Sequence, residues 1–307
     1  MLCLLLVLCL GACRDRGKEA TGPHRLRVVA TLFPVYDFAR VVGGDKAEVT
    51  LLLPPGVEPH NYEPKPEEAA GIVRADLFVY TDRYMEPWAA HLLKGLDGAR
   101  MPVAVEAGAG VQYLPDVEEG EAETGHHHDH GGMDPHIWLD PENARLMVGA
   151  IAAAMARKDP ANAAYYRANA ARYEAELTRL DERFRAGLAA CRQRAFLHGG
   201  HYAFAYLARR YGLTYRSAYA ISANAEPTPQ RIVALVRQVR SLGLKYIFYE
   251  ELLSPAMAET IAHETGTALL KLHGIHNVSK ADLERGASYL SLMEENLKNL
   301  RIGLECH

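Results

Sequence analysis

Of the 14 histidines in this 307-residue chain, five fall between residues 126 and 136. His126, His127, His128 and His130 lie in Gly125-His-His-His-Asp-His-Gly, and His136 lies in the Asp134-Pro-His-Ile-Trp-Leu-Asp140 segment that follows. Neutral imidazole is the commonest metal ligand among side chains and suits Zn, Cu, Ni and Fe better than Ca or Mg. Tracts rich in it are a compositional sign of metal binding. A purification tag would also cluster histidines, but this tract is internal, interrupted by Asp129 and set in an acidic stretch containing glycine.

Four more histidines occupy chemically suggestive places. His60 ends Pro54-Pro-Gly-Val-Glu-Pro-His60, His198 and His201 share Leu197-His-Gly-Gly-His201, and His273 closes the run Ala268-Leu-Leu-Lys-Leu. Each comes just after a run that reads as a strand, and open α/β sheets bind ligands beyond the carboxyl ends of their strands. These positions can therefore converge with His136. A single histidine at such a place is more often a satisfied polar group than a ligand, so the argument rests on the set. Glu250, after Tyr246-Ile-Phe-Tyr, and Glu226, before Pro227, are placed to accept the second N–H of a metal-bound imidazole; the alternative is a solvated charge at a strand end.

The elements that must position these groups are legible as alternating patterns. Short apolar runs at residues 26–32, 47–53, 76–80 and 102–105 alternate with helical patterns such as 36–42 and 66–74. The alternation resumes with runs at 195–198, 214–220, 245–249 and 267–272 and helical patterns at 202–211, 230–242 and 255–265. That rhythm predicts α/β units with parallel sheets. Between the halves, Tyr166, Ala170, Tyr173, Leu177, Leu180, Phe184 and Leu188 recur at spacings of three and four. They draw one apolar stripe along a helix over 161–190, roughly 45 Å long at 1.5 Å per residue. The predicted fold is α/β: two lobes, each with a parallel sheet flanked by helices, joined by one long interlobe helix.

In domain terms, 1–12 is expected to be a signal peptide, 13–24 a tether, 25–140 the first lobe, 141–190 a helical segment and 191–307 the second lobe. Residues 107–133 read as a long exposed loop carrying the histidine tract, and loops of that length are functional or disordered. Asp140-Pro141-Glu142 supplies an N-cap, a proline at the first helical position and an early acid, which starts a helix.

Composition limits the function classes. Hydrophobic residues make up 49% of the chain, net charge is -4, and Lys and Arg are dispersed, which disfavours a nucleic-acid partner. The apolar run 2–10 has the length of a signal-peptide core, far short of the about 20 residues that span a bilayer. Export is expected. Beyond residue 13 only Cys191 and Cys306 remain, so an exported chain offers one disulfide, or two separate thiols.

The motifs Val57-Glu-Pro-His60-Asn-Tyr-Glu63-Pro, Ala75-Asp-Leu-Phe-Val-Tyr80, Glu86-Pro-Trp88, Asp134-Pro-His136-Ile-Trp-Leu-Asp140-Pro, His201-Tyr-Ala-Phe-Ala-Tyr206 with Tyr211-Gly-Leu, and Glu226-Pro-Thr-Pro229 occur in that order. Together they resemble the metal-specific solute-binding proteins of ABC importers (cluster A-I), in particular the periplasmic zinc-binding lipoproteins. Leu10-Gly-Ala-Cys13 resembles the lipobox of bacterial lipoproteins, although a basic segment before the apolar run is missing. The resemblance implies a lipid-anchored monomer, held at Cys13 outside the cytoplasmic membrane, that captures Zn(II) between two lobes and delivers it to an importer permease. It carries the first three ligands onto His60, His136 and His201. Many members place an Asp at the fourth position, where this chain has His273; His276, Glu250 or a water are the alternatives. An all-imidazole site favours Zn over Mn.

Competing functions are a manganese or other transition-metal receptor, a secreted zinc hydrolase using Glu226 or Glu250 as base, and a metal buffer or adhesin centred on the 126–130 tract. No His-Glu-x-x-His motif supports the hydrolase, and no enzymatic activity is expected.

Overall fold

Each of the apolar runs read as strands becomes one. In the computed structural model, which describes residues 25–95, 101–115, 132–219, 228–252 and 254–307, the first four are β1 (Leu26–Ala30), β2 (Ala47–Leu51), β3 (Leu77–Tyr80) and β4 (Val103–Glu106). The second four are β5 (Ala195–His198), β6 (Thr214–Ser217), β7 (Tyr246–Tyr249) and β8 (Ala268–Lys271). Their orders are β2-β1-β3-β4 and β6-β5-β7-β8, with parallel pairing throughout. The second sheet thus repeats the topology of the first. In both, the chain steps from the first strand to one side and then crosses back to the other, so a crevice opens at the carboxyl edge between β1 and β3 and between β5 and β7.

Parallel sheets need cover on both faces, and among the described residues ten helices provide it: α1 (Phe33–Gly43), α2 (Pro66–Arg74), α3 (Pro87–Gly95), α4 (Pro141–Lys158), α5 (Ala163–Leu188), α6 (Ala205–Arg210), α7 (Pro229–Leu242), α8 (Ala256–Thr265), α9 (Lys280–Glu284) and α10 (Tyr289–Gly303). Ile72 of α2 and Ala89 of α3 pack with Phe78 on the outer face of the first sheet. Leu235 and Val239 of α7 and Ile261 of α8 do the same with Ile247 on the second. The inner faces meet in one continuous apolar interior, running from Val28 and Phe38 through Trp138, Tyr173 and Leu177 to Phe248, Tyr289 and Leu300. Fully burying one such side chain is worth on the order of 1.5–3 kcal/mol, so this shared interior binds the lobes to each other as well as internally.

The stripe expected on the long helix is buried residue for residue on α5, joined by Asn169, whose Nδ2 donates to Val42 O at 2.9 Å. The helix begins slightly later than its periodicity suggests, because Pro160–Asn162 form a 3-10 turn in which Asp159 accepts from Asn162 Nδ2 and Tyr166 Oη. Its 26 residues span about 39 Å. Helix α4 starts at Pro141 with the Asp140 carboxylate accepting from Glu142 N. The closing helices α9 and α10 were not anticipated; Ser279 and Ser288 cap them, each side chain accepting a backbone N–H three residues on.

Cys191 and Cys306 form a disulfide that ties the exit of α5 to the segment after α10. Among the described residues no helix is long and apolar enough to cross a membrane. The apolar run, Cys13, the tether, His126, His127, His128, His130 and Glu226 lie outside the described residues.

Candidate metal centre

His60, His136 and His201 come together at the carboxyl edges of the two sheets. His60 ends the loop after β2, His136 lies between β4 and α4, and His201 follows β5. One ring nitrogen from each lies within 4.8 Å of the other two. His60 Nε2 is 3.2 Å from His136 Nε2, and His201 Nε2 is 3.1 Å from the same atom. His136 and His201 are buried and His60 is partly exposed.

Carboxylates fix two of these rings. Asp134 Oδ1 lies 2.8 Å from His136 Nδ1 and also accepts from His136 N at 2.9 Å. Glu250 Oε2 lies 2.6 Å from His201 Nδ1, and Glu250 Oε1 accepts from His201 N at 2.9 Å. An ionised carboxylate only accepts, so each Nδ1 carries the hydrogen, and each ring, once neutral, turns an Nε2 lone pair toward the centre. In the metal-free protein the His201 imidazolium can satisfy His136 Nε2 by donating its Nε2–H, and when that proton leaves, a cation between the rings takes over its role. Tetrahedral zinc with Zn–N bonds of about 2.0–2.1 Å would set its nitrogens about 3.3–3.4 Å apart, close to the spacing seen here. The three imidazoles therefore fit a zinc-sized cation.

The Glu250–His201 pair is strongly polarised. Burial alone would raise the Glu250 carboxyl, but the His201 ring beside it holds it well below the usual carboxylate range. Burial likewise opposes the His201 imidazolium, and Glu250 outweighs it and holds the ring above the ordinary histidine value. Gly200 makes room for this pair: a Cβ there would sit 2.0 Å from Glu250 Oε1.

The fourth histidine of the expected set is not part of this group. His273 Nδ1 accepts from Ile275 N at 2.9 Å and lies 3.0 Å from Glu251 Oε1, while Asn296 of α10 holds both backbone groups of His273, at 2.6 Å to N and 2.8 Å to O. Burial pushes its imidazolium down to about 3. His276 lies nearer the group without joining it: its ring centroid is 5.3 Å from that of His201, and among the described residues neither of its buried nitrogens has a hydrogen-bond partner. Ile275, at φ 62°, makes the reversal that separates the two rings. Burial drives the His276 imidazolium far below its ordinary value, so this ring is neutral and able to ligate.

His198 is also buried, edge-on to Phe204, and burial lowers it to about 4. Sequence reasoning assigned no role to Asp134, Glu58 or Glu251. Glu58 Oε1 accepts from His60 N at 3.1 Å, and burial raises its carboxyl. Glu251 Oε2 accepts from Gly274 N at 3.2 Å, and burial together with the neighbouring Glu250 raises it to about 8. The available signal was position: Asp134 and Glu58 each stand two residues before a candidate ligand.

Comparison with known proteins agrees over nearly the whole chain. The profile of the family described as "Zinc-uptake complex component A periplasmic" matches residues 28–303. The chain is 37% identical over 306 residues to the zinc-binding lipoprotein AdcA of Streptococcus pneumoniae, with 98% of this chain aligned but only 60% of that relative's length. It is 35% identical over 304 residues to the high-affinity zinc uptake system protein ZnuA of Bacillus subtilis, covering 98% of this chain and 95% of that one. The crystal structure of the Zn(II)-bound ZnuA-like domain of the S. pneumoniae AdcA superposes with a TM-score of 0.79 at 34% identity, covering 92% of this chain and all of that domain.

Proposed function

The chain belongs to the ZnuA family of periplasmic zinc-uptake components, and on that premise we propose that it is an extracytoplasmic zinc receptor that hands Zn(II) to the permease of an ABC importer. The observation that carries this reading is the convergence of the His60, His136 and His201 Nε2 atoms, with Asp134 and Glu250 setting the tautomers of the last two. His276 supplies the fourth nitrogen in this reading. A set of four neutral imidazoles favours zinc over manganese, which prefers oxygen donors.

Four protein ligands leave no position for an activated water, so the site is a carrier rather than a catalyst. The protein works as a monomer, exported and held to the membrane by lipid on Cys13, with the 126–130 tract as an accessory, weaker metal-binding segment. The test is competitive titration of His60→Ala, His136→Ala and His201→Ala against a zinc chelator. Each should weaken binding by more than about tenfold, since each removes a ligand from a preformed site. Unchanged affinity in all three would remove the proposal.

A further inference from the structure

The buried side chain of Asn277 lies between the two lobes at the metal centre. Its Nδ2 donates both hydrogens, to Pro54 O and to Val57 O, each at 2.8 Å, while its Oδ1 accepts from Val278 N at 2.8 Å. Pro54 and Val57 belong to the loop that leaves β2 and ends at His60, on the first lobe; Asn277 follows His276, on the second. Two backbone bonds run alongside: Gly56 N donates to Val278 O at 2.9 Å and Phe33 N to His276 O at 3.2 Å. The loop is otherwise exposed from Pro54 to Val57 and is folded on itself by one long turn bond, Val57 N to Pro54 O at 3.2 Å. The Asn277 amide fills that turn from inside.

We propose that Asn277 is a positioning residue for metal capture: through the Pro54–Val57 turn it holds His60 of one lobe and His276 of the other at the separation a single ion requires. This rests on the reading that these two histidines ligate the metal. An asparagine suits the task because one planar amide offers two donors at a fixed angle and an acceptor besides. Alanine at this position would leave Val57 O to water and Pro54 O with only its long turn bond, and let the His60 loop drift relative to His276, with the ligands themselves intact.

Cobalt(II), whose visible absorption reports coordination number and symmetry, provides the readout. The full chain, Asn277→Ala, Asn277→Ser, His136→Ala, His60→Ala and the double variant His60→Ala/Asn277→Ala would be titrated with cobalt, and with zinc against a chelator. Circular dichroism melting of the metal-free proteins would run in parallel. Asn277→Ala is expected to lose roughly tenfold or more in zinc affinity, the range found when groups that orient ligands are removed, and to show a weaker, shifted cobalt spectrum. Asn277→Ser, which keeps one donor and a small side chain, should fall between it and the parent. In the His60→Ala background the Asn277 substitution should add little, because the two act as one unit.

A lower melting temperature with an unaltered cobalt spectrum and zinc affinity would overturn the proposal, leaving Asn277 a structural staple only. Full additivity in the double variant would do the same. If His136→Ala binds cobalt as the parent does, the site reading itself fails and takes the clamp with it. A parent-like Asn277→Ala beside a dead His136→Ala removes the clamp alone.

Discussion

Asp134 and His136 are two residues apart and both fully shielded from water, and the carboxylate grips the histidine at its backbone N–H and at ring Nδ1 with the same oxygen. The ring can therefore neither rotate nor change tautomer without breaking a buried bond. Asp134→Asn turns an amide donor or a weaker acceptor toward Nδ1 and allows the hydrogen to move to Nε2, where it blocks the metal. Zinc affinity is expected to fall by about 10–100-fold, with the fold intact by circular dichroism. Parent-like affinity in a chelator competition would mean that His136 needs no such orienting partner.

His273 and His276 should separate cleanly under substitution. His276→Ala is expected to weaken zinc and change the cobalt(II) spectrum. His273→Ala should leave that spectrum unaltered and instead lower the melting temperature, since its ring nitrogen accepts from Ile275 N inside a buried segment. The reverse pattern would restore His273 as the fourth ligand.

Metal binding should release a proton at neutral pH. In the metal-free protein burial works against the His201 imidazolium, yet Glu250 holds its pKa above the ordinary histidine value, so at pH 7.5 the ring is charged and must be deprotonated to ligate. Below that raised value protons compete with zinc, and affinity should fall as pH falls. Calorimetric titrations in buffers of different ionisation enthalpy should report about one proton per zinc at pH 7.5. With Glu250→Gln the number should drop toward zero, and a buffer-independent enthalpy in the parent would contradict the assignment.

The lobes should move little around the ion. The inner faces of both sheets, α5 and α10 share one apolar interior, with Tyr173, Leu177 and Tyr289 among its members, and wide hinge bending would have to tear it. Small-angle scattering profiles with and without zinc are expected to superpose. A large metal-dependent change in radius of gyration would show that the interior divides.

Much of this was legible from residue spacing. The α5 stripe from Tyr166 to Leu188 is periodic and buried as its pattern implies, and the strand runs carry side chains that need cover on both faces. Helix α10 also carries a signal, in the Ser288 cap and in Tyr289, Leu292, Met293, Leu297 and Leu300 at helical spacing, but it lies beyond the last strand that the alternation predicts. That omission bears on the site. Asn296 of α10 holds the backbone of His273, and without that helix nothing in the sequence distinguishes His273 from His276 three residues later. The choice between them depends on a backbone reversal at Ile275, which has no periodicity to betray it.

That reversal has a dynamic consequence. A β-branched residue in the left-handed region is strained by roughly 1–3 kcal/mol, and Ile275 is held there, fully buried, between the two candidate rings. The segment that carries His276 is thus held in a conformation its own backbone disfavours, and the surrounding packing must supply the restraint. Part of that restraint comes from across the cleft, through Phe33 N to His276 O and Gly56 N to Val278 O. Where those contacts loosen, the strain can be relieved by a few residues reordering, with no demand on the shared interior of the lobes.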